Sequence, residues 1–333
     1  MGFGHVGKAF LGLVREKREW LKTHYSLELR LQALLVSAGG LFSESGITPR
    51  DFTEKAGPDL NLSSLWRPGL NVVSALGKTK PGIFVECTPS NIQTGEPGLT
   101  HIRDALKAGW HVVTANKGPL VVDLKGLRSL AGKNSLALKF SAAAAAALPT
   151  LDTALHSLAG AEILSIEGIL NGTTNYVLTQ MGEGTGYPEA LREAQEKGIA
   201  EHDPRLDVEG WDTAAKTLII GNSVLGLELA LGDIKVEGIT RIPPELPIRA
   251  RQEGKAIKLL GRLGRSGGCW EAAVSPQLIE RSHPLFGVNG TNKGISYTTD
   301  SMGTVTVTGG KSDPRGAAAA ILKDIIHIFS PLL

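Results

Sequence analysis

The chain has 333 residues, 42% of them hydrophobic and 20% charged, with a formal net charge of +2 at pH 7. This is the balance of a globular protein long enough for two domains with cores of their own. Lys and Arg are interspersed, without the basic runs of a nucleic-acid binder, and Cys87 and Cys269 are too few for a disulfide framework or a zinc site. No apolar stretch approaches the roughly 18 residues of a membrane span, and the N-terminus lacks a signal-peptide layout. The expected compartment is therefore the cytoplasm, with neither membrane nor nucleic acid as a partner.

The opening MGFGHVGKAFLGLV places Gly2, Gly4 and Gly7 in the G-x-G-x-x-G spacing of a dinucleotide-binding turn. Val6, Phe10, Leu11 and Val14 repeat at helical spacing behind it, which predicts a helix whose N-terminus could meet a pyrophosphate. The motif needs a strand in front of it, and no strand precedes Gly2 here, so a plain glycine-rich turn is the competing reading. LRLQALLVSAGG, PGIFVECTPSN and GWHVVTANKGPL each read as a strand ending in small or polar residues. GLTHIRDALKAG, closed by Gly109, reads as a crossover helix between the last two. Strand, helix, strand in that rhythm predicts a parallel sheet with right-handed crossovers, which favours the dinucleotide reading of the glycines.

Ligands of such sheets lie beyond the carboxyl ends of the strands, which here carry Ser37, Thr88 and Lys117. Lys117 could point its ammonium into a nicotinamide cleft, or it could be a solvated loop lysine. The VSAGG end offers no carboxylate to the ribose hydroxyls of NAD. That favours NADP, with Ser37 as a phosphate contact, although no arginine follows immediately.

Beyond residue 120 the texture changes. FSAAAAAALPTLDTALHSLAG reads as an alanine-rich start continuing as a helix, SIEGILNGTTNYVLTQM as a strand running into a helix, and LIIGNSVLGL as part of another helix. In AQEKGIAEHDPRLDVEGWDTAAK, the acids Glu201, Asp203, Asp207, Glu209 and Asp212 precede Lys216. Asp212 and Lys216 are spaced i,i+4, one helical face, a spacing that alone would mean an ordinary surface ion pair.

That stretch resembles the signature of the homoserine dehydrogenases, at Ala194, Gly198, Ile199, Ala200, Asp203, Pro204, Asp207, Val208, Gly210, Asp212 and Lys216. The resemblance extends through VECTPSNIQTGEPGL, HVVTANKGPL, SIEGILNGTTNYVL and HPLFGVNGTNKGISYTTDSMGTVTVTGG. It is closest to short forms without an aspartokinase or ACT domain, so no threonine feedback is expected. It implies an α/β fold: a Rossmann-type nucleotide-binding domain, residues 1–125 completed by 310–333, with an inserted α+β catalytic and dimerisation domain, residues 126–309. It also implies a homodimer and an NAD- or NADP-dependent interconversion of L-homoserine and L-aspartate 4-semialdehyde, on the route to threonine and methionine.

Carried over by position, Lys216, Lys117 and Asp212 would be catalytic, and Glu201, Asp207, Gly172, Thr173 and Lys216 would hold the substrate. Gly2, Gly4, Val6, Gly7, Ser37, Thr88, Lys117 and Gly310 would face the cofactor. Reducing an aldehyde needs a hydride, a proton, and positive charge beside the developing alkoxide, and two lysines can supply the last two. In some relatives the turn after residue 140 wraps a sodium ion through backbone oxygens, here those of Ser141, Ala144, Ala146 and Leu148. Ser141 stands where relatives carry a glutamate, and Ala145, Ala146 and Ala147 replace glycines, although alanine resists positive φ.

The family has an apolar strand ahead of the N-terminal glycines, so the first strand is missing from this chain as written. The simplest expectation is a natural chain with several more residues upstream. The competing ones are a damaged, non-catalytic homologue, or a dehydrogenase of a related amino acid or semialdehyde.

Overall fold

The computed structural model describes residues 1–48, 58–310 and 313–330. It divides into two units, Met1–Ala146 with Asp313–Leu333, and Ala147–Ser312. Among the described residues no helix is long and apolar enough to cross a membrane.

Unit 1 runs through α1 (His5–Glu16), α2 (Arg18–Tyr25), β1 (Ala33–Val36), β2 (Gly39–Phe42), β3 (Trp66–Pro68) and α3 (Val72–Leu76). It continues through β4 (Ile83–Glu86), α4 (Gly98–Lys107), β5 (His111–Thr114), α5 (Lys117–Lys133), β6 (Leu138–Lys139) and α6 (Ser141–Ala145). β4, β5 and β6 form the parallel sheet that the alternating pattern predicts. The stretch around residues 29–40 departs from expectation. Only Ala33–Val36 form a strand, and Ser37 and Ala38 then turn the chain into β2, antiparallel to β1, with β3 on its far side. Gly39 permits the return: its φ is +147°, and a side chain there would come within 2.5 Å of the Arg67 carbonyl oxygen.

Met1 and Gly2 lie between the two sheets. The Met1 nitrogen donates to the Val85 carbonyl at 2.7 Å, the Met1 carbonyl accepts from the Cys87 N–H at 2.8 Å, and the Gly2 N–H donates to the Leu35 carbonyl at 3.0 Å. These two residues thus hydrogen-bond to the end of β4 on one side and to β1 on the other. α1 is the first element among the described residues.

The alanine run does not continue as one helix. α6 stops at Ala146, whose φ is +53°, and Pro149 follows. A residue ahead of proline is pushed out of helical backbone. The chain restarts in unit 2 as α7 (Thr150–Asp152) and a π-helical turn at Thr153–Ser157. The division falls at Ala146/Ala147 rather than at 125/126, because Leu127 and Ala131 of α5 are buried with Ile102 and Val112, and β6 pairs with β5.

Unit 2 contains β7 (Ile163–Ile169), α8 (Gly172–Gly182), α9 (Tyr187–Glu196), α10 (Arg205–Val208), α11 (Trp211–Val224), β8 (Lys235–Val236) and α12 (Glu245–Gln252). β9 (Ala256–Ser266), β10 (Cys269–Ile279), β11 (Lys293–Thr299) and β12 (Thr304–Gly309) complete it. Its strands lie in the order β12-β11-β7-β9-β10-β8, antiparallel except for β8 beside β10. The chain then returns to unit 1 as α13 (Pro314–Phe329), capped by Asp313. Ile321 and Ile325 of α13 share a core with Phe10 and Leu13 of α1 and Leu21 of α2. The period that marks α1 as a helix is thus the period of its contact with α13.

Candidate active site

In unit 2, β7 delivers the chain to Asn171, which caps α8: its Oδ1 accepts the Thr174 N–H at 2.9 Å. Its amide nitrogen faces the other way, donating to Asp207 Oδ1 at 2.7 Å and to Asp212 Oδ2 at 2.8 Å. Lys216 Nζ donates to the same Asp212 oxygen at 2.6 Å and to the Leu170 carbonyl at 2.8 Å. Lys216 and Asp212 are 14% and 12% exposed, so theirs is not the solvated surface pair that i,i+4 spacing usually means. Asp212 also lies in the first turn of α11, where the helix dipole favours a carboxylate.

The environment of Asp207 raises its pKa, chiefly through burial and then through the nearby Asp212 carboxylate. Lys216 and the hydrogen bonds from Asn171 and Thr173 oppose the shift. The Thr173 hydroxyl, shared between Asp207 and the Ile199 carbonyl at 3.0 Å, ties the start of α8 to the chain leading into α10. Gly172 is the buried first residue of α8.

The structure therefore gathers Gly172, Thr173, Asp207, Asp212 and Lys216 around the amide of Asn171. Glu201 is exposed; its backbone carbonyl accepts from Gln195 Nε2 at 3.2 Å. Asn171 was not among the residues singled out from the sequence. The available signal was an asparagine directly ahead of Gly-Thr-Thr where a strand pattern becomes a helical one, the position of an N-cap. Two carboxylates and one ammonium around a neutral amide suit an amino acid: anions for its α-ammonium, and a cation for an oxygen that becomes negative.

In unit 1, the glycines are held by close approach. Gly2 has φ +91°, and a Cβ there would lie 2.6 Å from the Cys87 carbonyl carbon; one on Gly7 would lie 2.3 Å from the Gly2 oxygen. A Cβ on Gly4, the residue ahead of α1, would meet nothing within 4 Å. The turn is thus tight where the chain crosses itself and open where α1 presents its first N–H groups, as a bound pyrophosphate requires. Val6 is half-buried in the first turn of α1.

Lys117 opens α5. Its N–H donates to Ser90 Oγ at 3.0 Å, and Asn116 caps the helix by accepting the Gly118 N–H at 2.9 Å. Lys117 is half-buried at the N-terminus of α5. Thr88 is bound through both its N–H and its hydroxyl to Glu86. Ser37 is exposed in the hairpin turn.

Ser141 is buried, and its N–H and hydroxyl donate to Asp324 at 2.8 and 2.7 Å. Ala144 lies in the same short helix and Ala146 at its left-handed end. In unit 2, Leu148 packs against Gly310: a Cβ on Gly310 would lie 2.7 Å from the Leu148 nitrogen. Among the described residues no group of three or more His, Cys, Asp or Glu side chains could hold a metal ion.

Residues 2–140 match the family model described as the NAD-binding domain of homoserine dehydrogenase, and residues 149–326 match the homoserine dehydrogenase model itself. The chain is 40% identical over 334 residues to the homoserine dehydrogenase of Methanocaldococcus jannaschii, covering 99% of this chain and 97% of that one. It is 34% identical to the NAD(+)-dependent homoserine dehydrogenase of Pseudomonas canavaninivorans, covering 98% and 94%. The crystal structure of a homoserine dehydrogenase from Thiobacillus denitrificans superposes with a TM-score of 0.84 at 26% identity, covering 98% of this chain and 72% of that one. The chain therefore belongs to the homoserine dehydrogenase family, NAD(P)-dependent oxidoreductases that interconvert L-homoserine and L-aspartate 4-semialdehyde.

Proposed function

We propose that the Asn171, Asp207, Asp212 and Lys216 cluster of unit 2 is the amino-acid site of this dehydrogenase. The observation that carries this reading is the shared Asp212 oxygen, which receives both Lys216 Nζ and the Asn171 amide. Asp207, with Glu201, takes the substrate's α-ammonium, while Gly172 and Thr173 line the pocket. When bound, the nicotinamide supplies or accepts the hydride. Lys216 and Lys117 share the acid–base work, giving a proton to the oxygen in reduction and removing it in oxidation. Asp212 fixes the Lys216 ammonium against that oxygen, where its charge stabilises the developing alkoxide.

Gly2, Gly4, Val6 and Gly7 hold the pyrophosphate, Thr88 and Lys117 face the nicotinamide end, and Gly310 helps to close over it. The exposed Ser37, with no carboxylate in its turn, favours NADP; the NAD(+)-dependent relative makes NAD the competing cofactor. A sodium ion would take backbone oxygens of Ser141, Ala144, Ala146 and Leu148, and the working form is a homodimer.

The test is reduced-nicotinamide absorbance with L-homoserine and each cofactor, in sodium chloride and then in choline chloride. NADP should be reduced faster than NAD, and sodium should support the higher rate. Lys216→Ala and Lys117→Ala should each lower kcat at least about a hundredfold, the scale of a lost general acid–base. Wild-type turnover in either variant removes that lysine from the mechanism.

A further inference from the structure

Glu86 ends β4 with 0% of its surface exposed, and no role described so far uses it. A carboxylate persists at such a position only where donors surround it. Its Oε1 accepts the Thr88 N–H at 3.1 Å and the Thr88 hydroxyl, and His101 Nδ1 stands 3.7 Å from the same atom. The Thr114 hydroxyl donates to the Glu86 backbone carbonyl at 3.3 Å and lies 3.5 Å from Oε2.

Both threonines pass this order on. The Thr88 oxygen accepts from Asn116 Nδ2 at 3.2 Å, and the Thr114 oxygen accepts the Asn116 N–H at 3.0 Å. Asn116 caps the helix that Lys117 opens. The amide has little room to turn elsewhere, since even a Cβ on Gly98 would lie 2.6 Å from its nitrogen. The carboxylate thus anchors the turn after β4 and, through the Thr88 hydroxyl, the turn after β5, where the Thr114 hydroxyl adds a link from the Glu86 carbonyl.

We propose that Glu86 is a positioning residue for the cofactor end of unit 1, setting Thr88 directly and Lys117 through Asn116. The proposal rests on the assignment of Thr88 and Lys117 to the cofactor. Glu86→Gln keeps the shape but turns one acceptor oxygen into a donor and removes the charge beside His101. The Thr88 pair then meets a neutral amide oxygen instead of a charged one, and an NH2 donor stands beside the Thr114 hydroxyl.

The experiment titrates the fluorescence of the reduced cofactor for its Kd and measures steady-state kinetics for both substrates. Glu86→Gln should weaken cofactor binding about tenfold, the scale of one lost charge-assisted hydrogen bond, and lower kcat, with the KM for homoserine held within about twofold. A merely structural role would lower melting temperature without this split. Should Glu86→Gln not fold, Thr114→Val cuts only the link from residue 86 to the Asn116 N–H and should show the same selective loss. Unchanged cofactor Kd and kcat in the folded variant, beside an impaired Lys117→Ala, would overturn the positioning role and leave the function standing. Wild-type turnover in Lys117→Ala would instead remove the assignment on which the proposal rests.

Discussion

Asp207 pits stability against function within a single side chain. Burial and the Asp212 carboxylate raise its pKa, so ionising it costs the fold free energy that the unfolded chain does not spend. Between the ordinary aspartate range and its raised value the native state holds a proton that the unfolded chain has released, so stability falls as pH rises through that window. Asp207→Asn still accepts the Asn171 hydrogen bond and carries no charge. It should raise the melting temperature by a few degrees at neutral pH, with the gain vanishing at acid pH where the native carboxyl is protonated. Its KM for homoserine should rise at least about tenfold with a smaller effect on kcat, as for a group that binds ground and transition states alike. A melting temperature unchanged at both pH values would mean that Asp207 carries no such strain.

Among the elements, α8 is fastened twice in its N-terminal half. Asn171 caps its start, and Lys258 of β9 holds Asn175 in its first turn: buried to 2% exposure, its ammonium donates to Asn175 Oδ1, to the Val288 carbonyl and to Asn289 Oδ1. Burial pushes the Lys258 pKa down to about 8, against about 10.4 for a free lysine. Between those values the unfolded chain keeps a proton that the native state has lost, so the wild type gains stability as pH rises through the window. Lys258→Met takes the ammonium from Asn175 Oδ1 and Asn289 Oδ1, leaving the Val288 carbonyl only the Asn175 amide, and should be destabilised by at least about 1 kcal/mol at neutral pH. The gap to the wild type should widen from about pH 8 to about pH 10, read as melting temperature, and amide exchange along α8 should quicken. A constant gap would show that the amine does not titrate there. Lys258 left little trace in the sequence, because IKLLGRL reads as an apolar strand with a lysine in it; only the covering loop with Val288 and Asn289 buries it.

At the scale of the whole molecule, each unit keeps its own core and its own candidate site. Unit 1 crowds Gly2, Gly7 and Cys87 together, while unit 2 builds an acidic pocket at the end of β7. If the working form is a homodimer, sedimentation should give twice the chain mass at micromolar concentration, with and without cofactor. A monomer with full activity would remove dimerisation from the mechanism.

Much of this was legible along the chain because it depends on near neighbours. The period of α1, the β4-α4-β5 rhythm, the i,i+4 placing of Asp212 and Lys216 and the spacing of the three glycines are local, set by backbone geometry and the burial of one face. What lay beyond the sequence were meetings between segments far apart: Asn171 with Asp207 and Asp212, Glu86 with Thr114, and Lys258 with Asn289. The hairpin at Ser37 belongs with them, since strand pairing across β2 and β3 overrode the local pattern; the break at Ala146 is local, set by the turn before Pro149. Local propensity is worth tenths of a kcal/mol per residue. A buried carboxylate or ammonium costs several unless donors or acceptors surround it, and only the folded chain brings those partners together.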